Sequence, residues 1–579
     1  MEKYRGPYAD INGAYGGVDD LGRVLTTDST LPLPRQNRTV GMFYYLAPGN
    51  HGLKGPYDIR KIIASDPNAL LSEEAWMAAG GGARHADHHW AEPLFGYYSM
   101  NDEWVIRKHI QMLTDAGVDY LIFDTTNALS YDQTALKVLK VLNEFYRQGI
   151  TNVPRIAYYT NASSGKTINH IYHEIYQKYP EYAHLWFRWD GKPLIIGIPS
   201  DPELEDKAKA FFRIKTSYWP TERRSSDDQW PWIEFDGIYT SDAVYGSNGR
   251  KEVVNVSAAQ HCDTIFSGSA FYGESNRTRS YRRSTGKNDT SKDAVLWGYN
   301  FSDQWKWAIE QDPETVFVTQ WNEWLAMRFE PIGGHPICFV DLADPNNSRD
   351  LEPMRGGFGD NYYMQLCEYI RKYKGVPPRV NIGADTTISL SGGFAQWDSV
   401  TAVYRDYRQD TADRNYKGFG DFLYTDTSGR NDFDLLKAAK DRNNIYFYVR
   451  TVDTITPPGT PNWMTLFINS GNCGNANWHG FDYIVNRVPP DGNRAVIEKC
   501  EGGWNWQAVG SAEMYREGKE LMLCVPRETI GLARNDDEDL LNLQFKWADN
   551  YIEDDIWSFY EKGDAAPIGR FTYVFSNVK

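Results

Sequence analysis

From Val40 to Gly375 the sequence alternates short apolar runs with amphipathic stretches of helical period, and this alternation restricts the fold more than any other feature. "VGMFYYL" (40–46), "VDYLIFDTTN" (118–127), "RIAYYTN" (155–161) and "KPLIIGI" (192–198) read as strands. Between them "DEWVIRKHIQMLTDAG" (102–117), "YDQTALKVLKVLNEFYRQG" (131–149) and "KTINHIYHEIYQKY" (166–179) read as helices, the first ended by Gly117. Later strand candidates are "FRIKTSYW" (212–219), "WIEFDGI" (232–238), "EVVNVSAA" (252–259) and "TVFVTQW" (315–321). Helices are expected in the second half of 293–311 and at 361–375. Repeated β-α units predict an α/β fold with a parallel sheet, and about eight strands fit a (β/α)8 TIM barrel spanning 38–375. A doubly wound sheet is the weaker alternative, because no G-x-G-x-x-G follows the first strand.

The pattern changes after "GVPPRVNIG" (375–383), whose paired prolines mark a linker. Period-two segments follow, among them "NNIYFYVRTVD" (443–453), "WMTLFINS" (463–470) and "ELMLCVPRETIG" (520–531). They predict an antiparallel β-sandwich over 384–579, while residues 1–37 read as an irregular lead-in. A net charge of −16 without basic blocks disfavours nucleic acid and anionic membrane surfaces as partners, leaving neutral polymers open. No apolar run of about 18 residues predicts a membrane span. No leader is visible in the chain, and the expected location is secreted, periplasmic or at the cell surface. The six cysteines are too scattered for a disulfide framework or a zinc site.

In a barrel, side chains at the C-terminal ends of the strands face the active site. There "VFVTQWNEW" stops an apolar run at one acid, Glu323, between Trp321 and Trp324. Other acids near strand ends or in adjoining loops are Asp124 in "LIFD", Glu92 in "HHWAEPLFGYY", Glu274 in "SAFYGESNRTRSYR" and Glu352 in "NNSRDLEPMRGG". Glycosidic bond cleavage needs two carboxyls across the scissile bond, and an indole wall raises a carboxyl pKa by desolvation. Glu323 is therefore the first catalytic candidate, with Asp124 or Glu92 as its partner. Candidate substrate contacts are Trp321, Asn322, Trp324, His261, Glu274, Tyr44, Tyr45, Tyr159, Asn127, His89, Trp90 and Glu352. Structural alternatives stand beside these: Asp124 could cap the following turn, Glu352 could pair with Arg349 or Arg355, and aromatics could fill cores. The histidines of "GGARHADHHW" match no standard zinc spacing, so no metal is expected there.

"GVDYLIFDTTN", "NVSAAQH" and above all "VTQWNEWLA" resemble the (β/α)8 glycoside hydrolases of families 71 and 99, over roughly residues 38–375. The resemblance implies that Glu323 belongs to a catalytic pair, as in the family 99 enzymes, which act within α-mannosides. In those enzymes a second Glu, three positions on, is the general acid/base. Here Ala326 stands at that position and cannot transfer a proton. The C-terminal segments "NNIYFYVRTVD", "GFDYIVNR" and "GGWNWQAVG" resemble family 9 carbohydrate-binding modules. Such modules can grip sugar between aromatic rings, here Trp463, Trp478, Trp504 and Trp506, and can hold structural calcium; no other cofactor is implied.

The expected function is hydrolysis of a glycosidic bond in a polysaccharide or oligosaccharide. The rivals are a glycan-binding protein without catalysis, which Ala326 favours, and a glycan-modifying transferase or esterase. The hydrolase reading requires Glu323 to open into a groove within reach of another acid, not to be locked away by an arginine.

Overall fold

The structure is a computed structural model, and it describes residues 15–27, 30–219, 222, 224–234, 237–260, 270–272, 276–339, 344–472, 474, 476–534 and 539–578. Eight parallel strands carry the first sheet, to which the short antiparallel strands Arg188–Trp189 and Val244–Tyr245 add: β1 (Thr39–Tyr44), β3 (Tyr120–Thr125), β4 (Arg155–Thr160), β5 (Lys192–Gly197), β6 (Arg213–Tyr218), β7 (Gln229–Pro231), β8 (Val253–Ser257) and β9 (Thr315–Thr319). Their spatial order is β7-β6-β5-β4-β3-β1-β9-β8. A small antiparallel ladder, β2 (Asp87–His89) against β10 (Leu325–Phe329), lies beyond the end of β9. The chain is thus a barrel of the expected TIM type followed by an all-antiparallel β domain.

Strand alternation sorts the residues. Phe43, Ile122, Tyr159, Ile196 and Phe317 fill the barrel interior, where Trp230 and Trp232 join them. Met42, Leu121, Phe123, Ile195 and Val318 face outward, in one apolar cluster with Val105, Leu113, Val138 and Leu142. Those last four belong to helices α1 (Glu103–Ala116) and α2 (Asp132–Arg147). The Asp102 carboxylate accepts from the Trp104 amide to start α1, and Gly117 at φ 87° ends it, a conformation that favours glycine. At the N-terminal end of the barrel the buried Lys215 ammonium bridges Asp228 at 2.6 Å and Glu252 at 2.5 Å.

Strand β7, the sixth of the parallel strands, lies upstream of the expected 232–238. After Pro231 the chain leaves the ladder, and the side chain of Asn255 on β8 takes over the pairing. Its amide donates to the carbonyls of Trp232 (2.9 Å) and Phe317 (3.0 Å), and its oxygen accepts from the Glu234 amide at 3.1 Å. One buried amide therefore spans the seam between β7 and β8.

The second domain is an eleven-stranded antiparallel sheet. Phe447 and Phe545 lie on strands far apart in hydrogen-bond order, yet their rings are 5.2 Å apart, so the sheet folds back on itself around a shared core. Trp463 and Trp478 are buried within this domain and donate to Thr456 and Asp554, and the half-buried Trp504 packs its ring against Trp478 and Trp506. A separate hairpin, Arg414–Lys417 with Leu423–Asp426, lies against the barrel. Arg414 pairs there with Asp102 at 2.8 Å, and the Tyr97 amide donates to the Tyr424 hydroxyl at 2.7 Å. Among the described residues no helix is long and apolar enough to cross a membrane. Cys338, Cys367, Cys500 and Cys524 are free thiols.

Replacing Asn255 with Ala removes partners from buried backbone groups on both sides of the seam. It is expected to cost about 2–4 kcal/mol, read as a lower urea midpoint at unchanged slope.

Candidate active site

The segment after β9 is tied at every residue. The Asn322 side chain accepts from the Tyr45 amide at 2.8 Å and donates to the Tyr45 carbonyl at 3.1 Å, locking the end of β9 to the end of β1. The Glu323 amide donates to the Asp350 carboxylate. The Trp324 indole donates to Glu352 and stacks on Trp90 with centroids 4.3 Å apart. Trp90 donates in turn to Asp350 at 2.9 Å. Burial pushes the Asp350 carboxyl up to about 7, against the pull of the Arg279 and Arg349 guanidinium groups.

These bonds aim the Glu323 carboxylate into a groove of about 770 Å³ at the C-terminal mouth of the barrel. Its side chain is 9% exposed and forms an ion pair with the fully buried Arg349 at 3.0 Å. Gln320 also donates to the same oxygen. The arginine compensates the charge while the carboxylate still lines the groove; of the conditions set from sequence, the opening into a groove is met and the absence of an arginine partner is not. A burial cost of this kind is met only by such pairing.

A second carboxyl in the groove is Asp87. Its burial raises its pKa above the ordinary carboxylate range, with His51 pulling the other way. Asp87 sits opposite Met327 in the β2–β10 ladder, and Leu325 opposite His89. Leu325, Met327 and Asp87 line the groove, whereas Ala326 and its partner His88 face the buried side. Tyr45, Tyr57, Tyr131, His51, Asn127 and Phe419 supply neutral wall, and Lys54 and Arg84 add two cationic side chains to the lining. The Tyr131 hydroxyl accepts from Asn127 at 2.9 Å and meets the His51 ring nitrogen at 2.8 Å. Burial pushes this phenol up to about 12, with Asp124 and Asp87 adding to the shift. Phe419 comes from the hairpin of the second domain, so the groove is built by both domains.

Of the sequence candidates, Glu323, Tyr45 and Asn127 line this groove. Asp124 lies on the interior face of β3 and accepts from the Thr126 amide at 3.0 Å, the turn-capping contact weighed as its alternative role. Glu92 stands outside the groove lining, bonded to Lys61 at 2.6 Å with Arg355 at 3.7 Å. Trp321 and Trp324 are not sugar-stacking walls: they are 0% and 1% exposed and form the floor beneath Glu323. Trp90 is likewise core, as the stacking partner of Trp324.

Glu352 is fully buried and pairs with neither Arg349 nor Arg355 in the way the sequence suggested. It meets His109 at 2.9 Å and accepts from Tyr98 at 2.7 Å, and Tyr44 joins the same network through His109 at 2.9 Å. Tyr159 is buried in the barrel, donating to the Trp230 carbonyl at 2.8 Å. His89 is buried edge-on to Phe419, and desolvation pushes it down to about 3, so it is a neutral packing residue. His261 and Glu274 lie outside the described residues. Asp87, His51, Tyr131, Arg349 and Phe419 were not singled out as site residues from sequence. Asp87 does lie in the stretch read there for its histidines, but its pairing with residues some 240 positions away leaves no local signal.

Replacing Arg349 with Met leaves a buried carboxylate without its cation and is expected to destabilise the fold by about 3–5 kcal/mol. Adding Glu323→Gln should restore most of that loss in guanidinium unfolding, because the unpaired charge is then gone.

No protein-family model matches the chain, and no curated protein matches it. Among solved structures, the GH99 endo-α-mannosidase of Bacteroides thetaiotaomicron in complex with bis-tris-propane aligns over 58% of this chain and 97% of its own, at 15% identity and a TM-score of 0.35. Another structure of that endo-α-mannosidase gives the same coverage at 14% identity and a TM-score of 0.36. A glycoside hydrolase-like protein aligns over 60% of this chain and 97% of its own, at 12% identity and a TM-score of 0.31. At such low identity the similarity concerns the fold alone.

Proposed function

We propose that this chain is a glycoside hydrolase acting on a polysaccharide or complex glycan, with Glu323 as the carboxylate base or nucleophile and Asp87 as the proton donor. One observation carries the reading: two carboxyls open into the same groove at the C-terminal mouth, in contrasting surroundings. Glu323 is ion-paired with Arg349, whereas Asp87 is desolvated and holds its proton above the ordinary range. Two carboxyls in such contrasting surroundings divide the acid and base roles between them. The tyrosine and phenylalanine faces along the groove suit the C–H faces of sugar rings.

A second reading is a glycan-binding protein without catalysis. Ala326 on the buried side of β10 and the hold of Arg349 on Glu323 favour it. The two readings separate in a screen of neutral plant, fungal and bacterial polysaccharides for new reducing ends. Hydrolysis is expected, and Glu323→Gln should lower the rate by about 10²–10⁴-fold while oligosaccharide binding survives. Binding by the parent protein with no reducing ends from any glycan would establish the binding-only reading. Product analysis also separates out a transferase or esterase, since neither leaves a new reducing end.

Asp87→Asn tests the acid. As a donor Asp87 works in its protonated form, so the parent rate should fall as pH rises through its elevated pKa, and the variant should lose that basic limb along with activity. The charged form of Asp87 is the one the fold disfavours. Its burden on stability is therefore absent below its ordinary pKa and grows as pH rises through the folded value. The Asn variant should accordingly melt no lower than the parent at neutral pH; a large drop in melting temperature would make Asp87 structural instead.

A further inference from the structure

A second groove, of about 830 Å³, runs along the outer wall of the barrel. Its sides are helices α3 (Tyr299–Gln311) and α4 (Asn361–Lys374). Phe301, Trp305 and Ala308 of α3 and Leu366 and Ile370 of α4 are buried in the cluster that coats the strands, and the other flanks of the two helices form the groove. It shares no lining residue with the groove that holds Glu323, and its volume is in the range of ligand sites.

One ring in this groove is exposed on a backbone that is firmly held. Trp297 ends the short helix Ala294–Trp297, and Gly298, at φ 62°, turns the chain into α3. Three successive carbonyls of the turn are tied down. The Tyr362 hydroxyl donates to that of Val295 at 2.6 Å, the Asn361 side-chain amide to that of Leu296 at 3.4 Å, and the Gln365 side-chain amide to that of Trp297 at 2.7 Å. The Arg23 guanidinium also donates to the Trp297 carbonyl, at 3.0 Å. The Trp297 residue is nevertheless 40% exposed, with Val24, 66% exposed, in the same lining. Its indole lies parallel to the Tyr299 ring, with 2° between planes and 6.3 Å between centroids, and the Arg282 guanidinium covers Tyr299 at 3.4 Å. A fixed, flat aromatic face open to water suits a ligand with an apolar face and polar edges, such as a sugar ring.

The groove is also cationic, in a chain of net charge −16. Arg23, Arg282, Arg283, Lys306 and Lys372 line it against two carboxylates, Asp303 and Glu368. Three of these cations are matched: Arg23 with Asp19 at 2.6 Å, Arg282 with Asp289 at 2.8 Å and Lys372 with Glu368 at 2.9 Å. Lys306 reaches Asp303 only at 3.9 Å, and that carboxylate already accepts from the Arg283 amide at 3.0 Å. The Arg283 guanidinium lies over the Tyr239 ring at 4.3 Å and makes no ion pair among the described residues. Arg283 and Lys306 are therefore left to an incoming anion, and every matched cation of the groove shows a carboxylate as its partner. A guanidinium grips a carboxylate at two points.

We propose that this groove is a second glycan site, for polysaccharides that carry uronic acids: a sugar ring stacks on Trp297 and its carboxylate meets Arg283 and Lys306. The choice of a glycan rests on the function proposed for the first groove; the platform and the free cations stand without it. An acidic peptide satisfies the cations but its Asp and Glu side chains offer the indole no flat ring. Nucleic acid demands a longer cationic track than two free side chains in an acidic protein. A polymer held here stays attached while the first groove works on it, which raises its effective concentration there.

Binding is measured by affinity electrophoresis and calorimetry on the full-length Glu323→Gln protein, with polygalacturonate, alginate and glucuronoxylan as probes. Binding of at least one is expected. Trp297→Ala and the Arg283→Ala/Lys306→Ala double variant should each weaken it about tenfold or more, and 1 M salt, where the Debye length is about 3 Å, should abolish it. The double variant alters exposed side chains only, so its melting temperature should match the parent's. No binding of any of the three, or binding that both variants leave intact, overturns the proposal. Tighter binding of a neutral glucan, dextran sulfate, poly-glutamate or single-stranded DNA overturns it equally. Release of reducing ends by a parent protein that shows no such binding sinks this site alone; such binding without release from any glycan sinks the hydrolase reading alone.

Discussion

The pairing of Glu323 with Arg349, on a backbone held by Asp350, is the interaction on which the rest of the site depends. A carboxylate buried this deeply at a strand end cannot persist unless its charge and its backbone polar groups are satisfied. The structure meets that demand from several segments at once. Asn322 joins the end of β1, Asp350 receives the Glu323 amide and the Trp90 indole, and Glu352 receives Trp324. Behind Glu352 the chain of contacts continues through His109 to Tyr44. The direction of the Glu323 side chain is thereby set by neighbours distant in sequence, and the two flanking indoles serve as its floor.

The β2–β10 ladder decides which of its residues face the groove. In a ladder, successive side chains point to opposite faces. Position 326 turns toward the buried His88, so a carboxyl there would face the core. The neighbours that face the groove are Leu325 and Met327 on one strand and Asp87 on the other. A groove acid on this ladder is compatible with the partner strand and not with position 326. The adjoining part of the rim comes from the second domain, whose hairpin packs Phe419 against Leu325 and His89 and is pinned to the barrel by Arg414 and Tyr424.

Much of the barrel was legible because its signals are local. Apolar runs of strand length marked β1, β3, β4 and β5 within a residue or two, and the 3.6 periodicity and Gly117 marked α1 with its end. Strand β7 was misplaced because the alternation at 232–238 continues after the ladder has stopped, where Asn255 replaces backbone pairing with a side chain. Aromatic residues misled for a different reason: Trp321, Trp324, Trp90 and Tyr159 have the chemistry of sugar platforms and of cores alike, and only burial separates the two. Glu92 stood beside the right segment, yet Lys61 and Arg355 hold it outside the groove.

The sequence by itself determined the two-part architecture and the presence of one acid at the end of a barrel strand, because strand period, helix period and proline-rich breaks are properties of neighbouring residues. Only the tertiary structure decided which other groups meet that acid. Asp87, Arg349, Tyr131 and Phe419 reach the groove or its carboxylate from separate parts of the chain. Pairing across hundreds of residues is governed by strand register and domain packing, and neither leaves a trace in the local pattern of side chains.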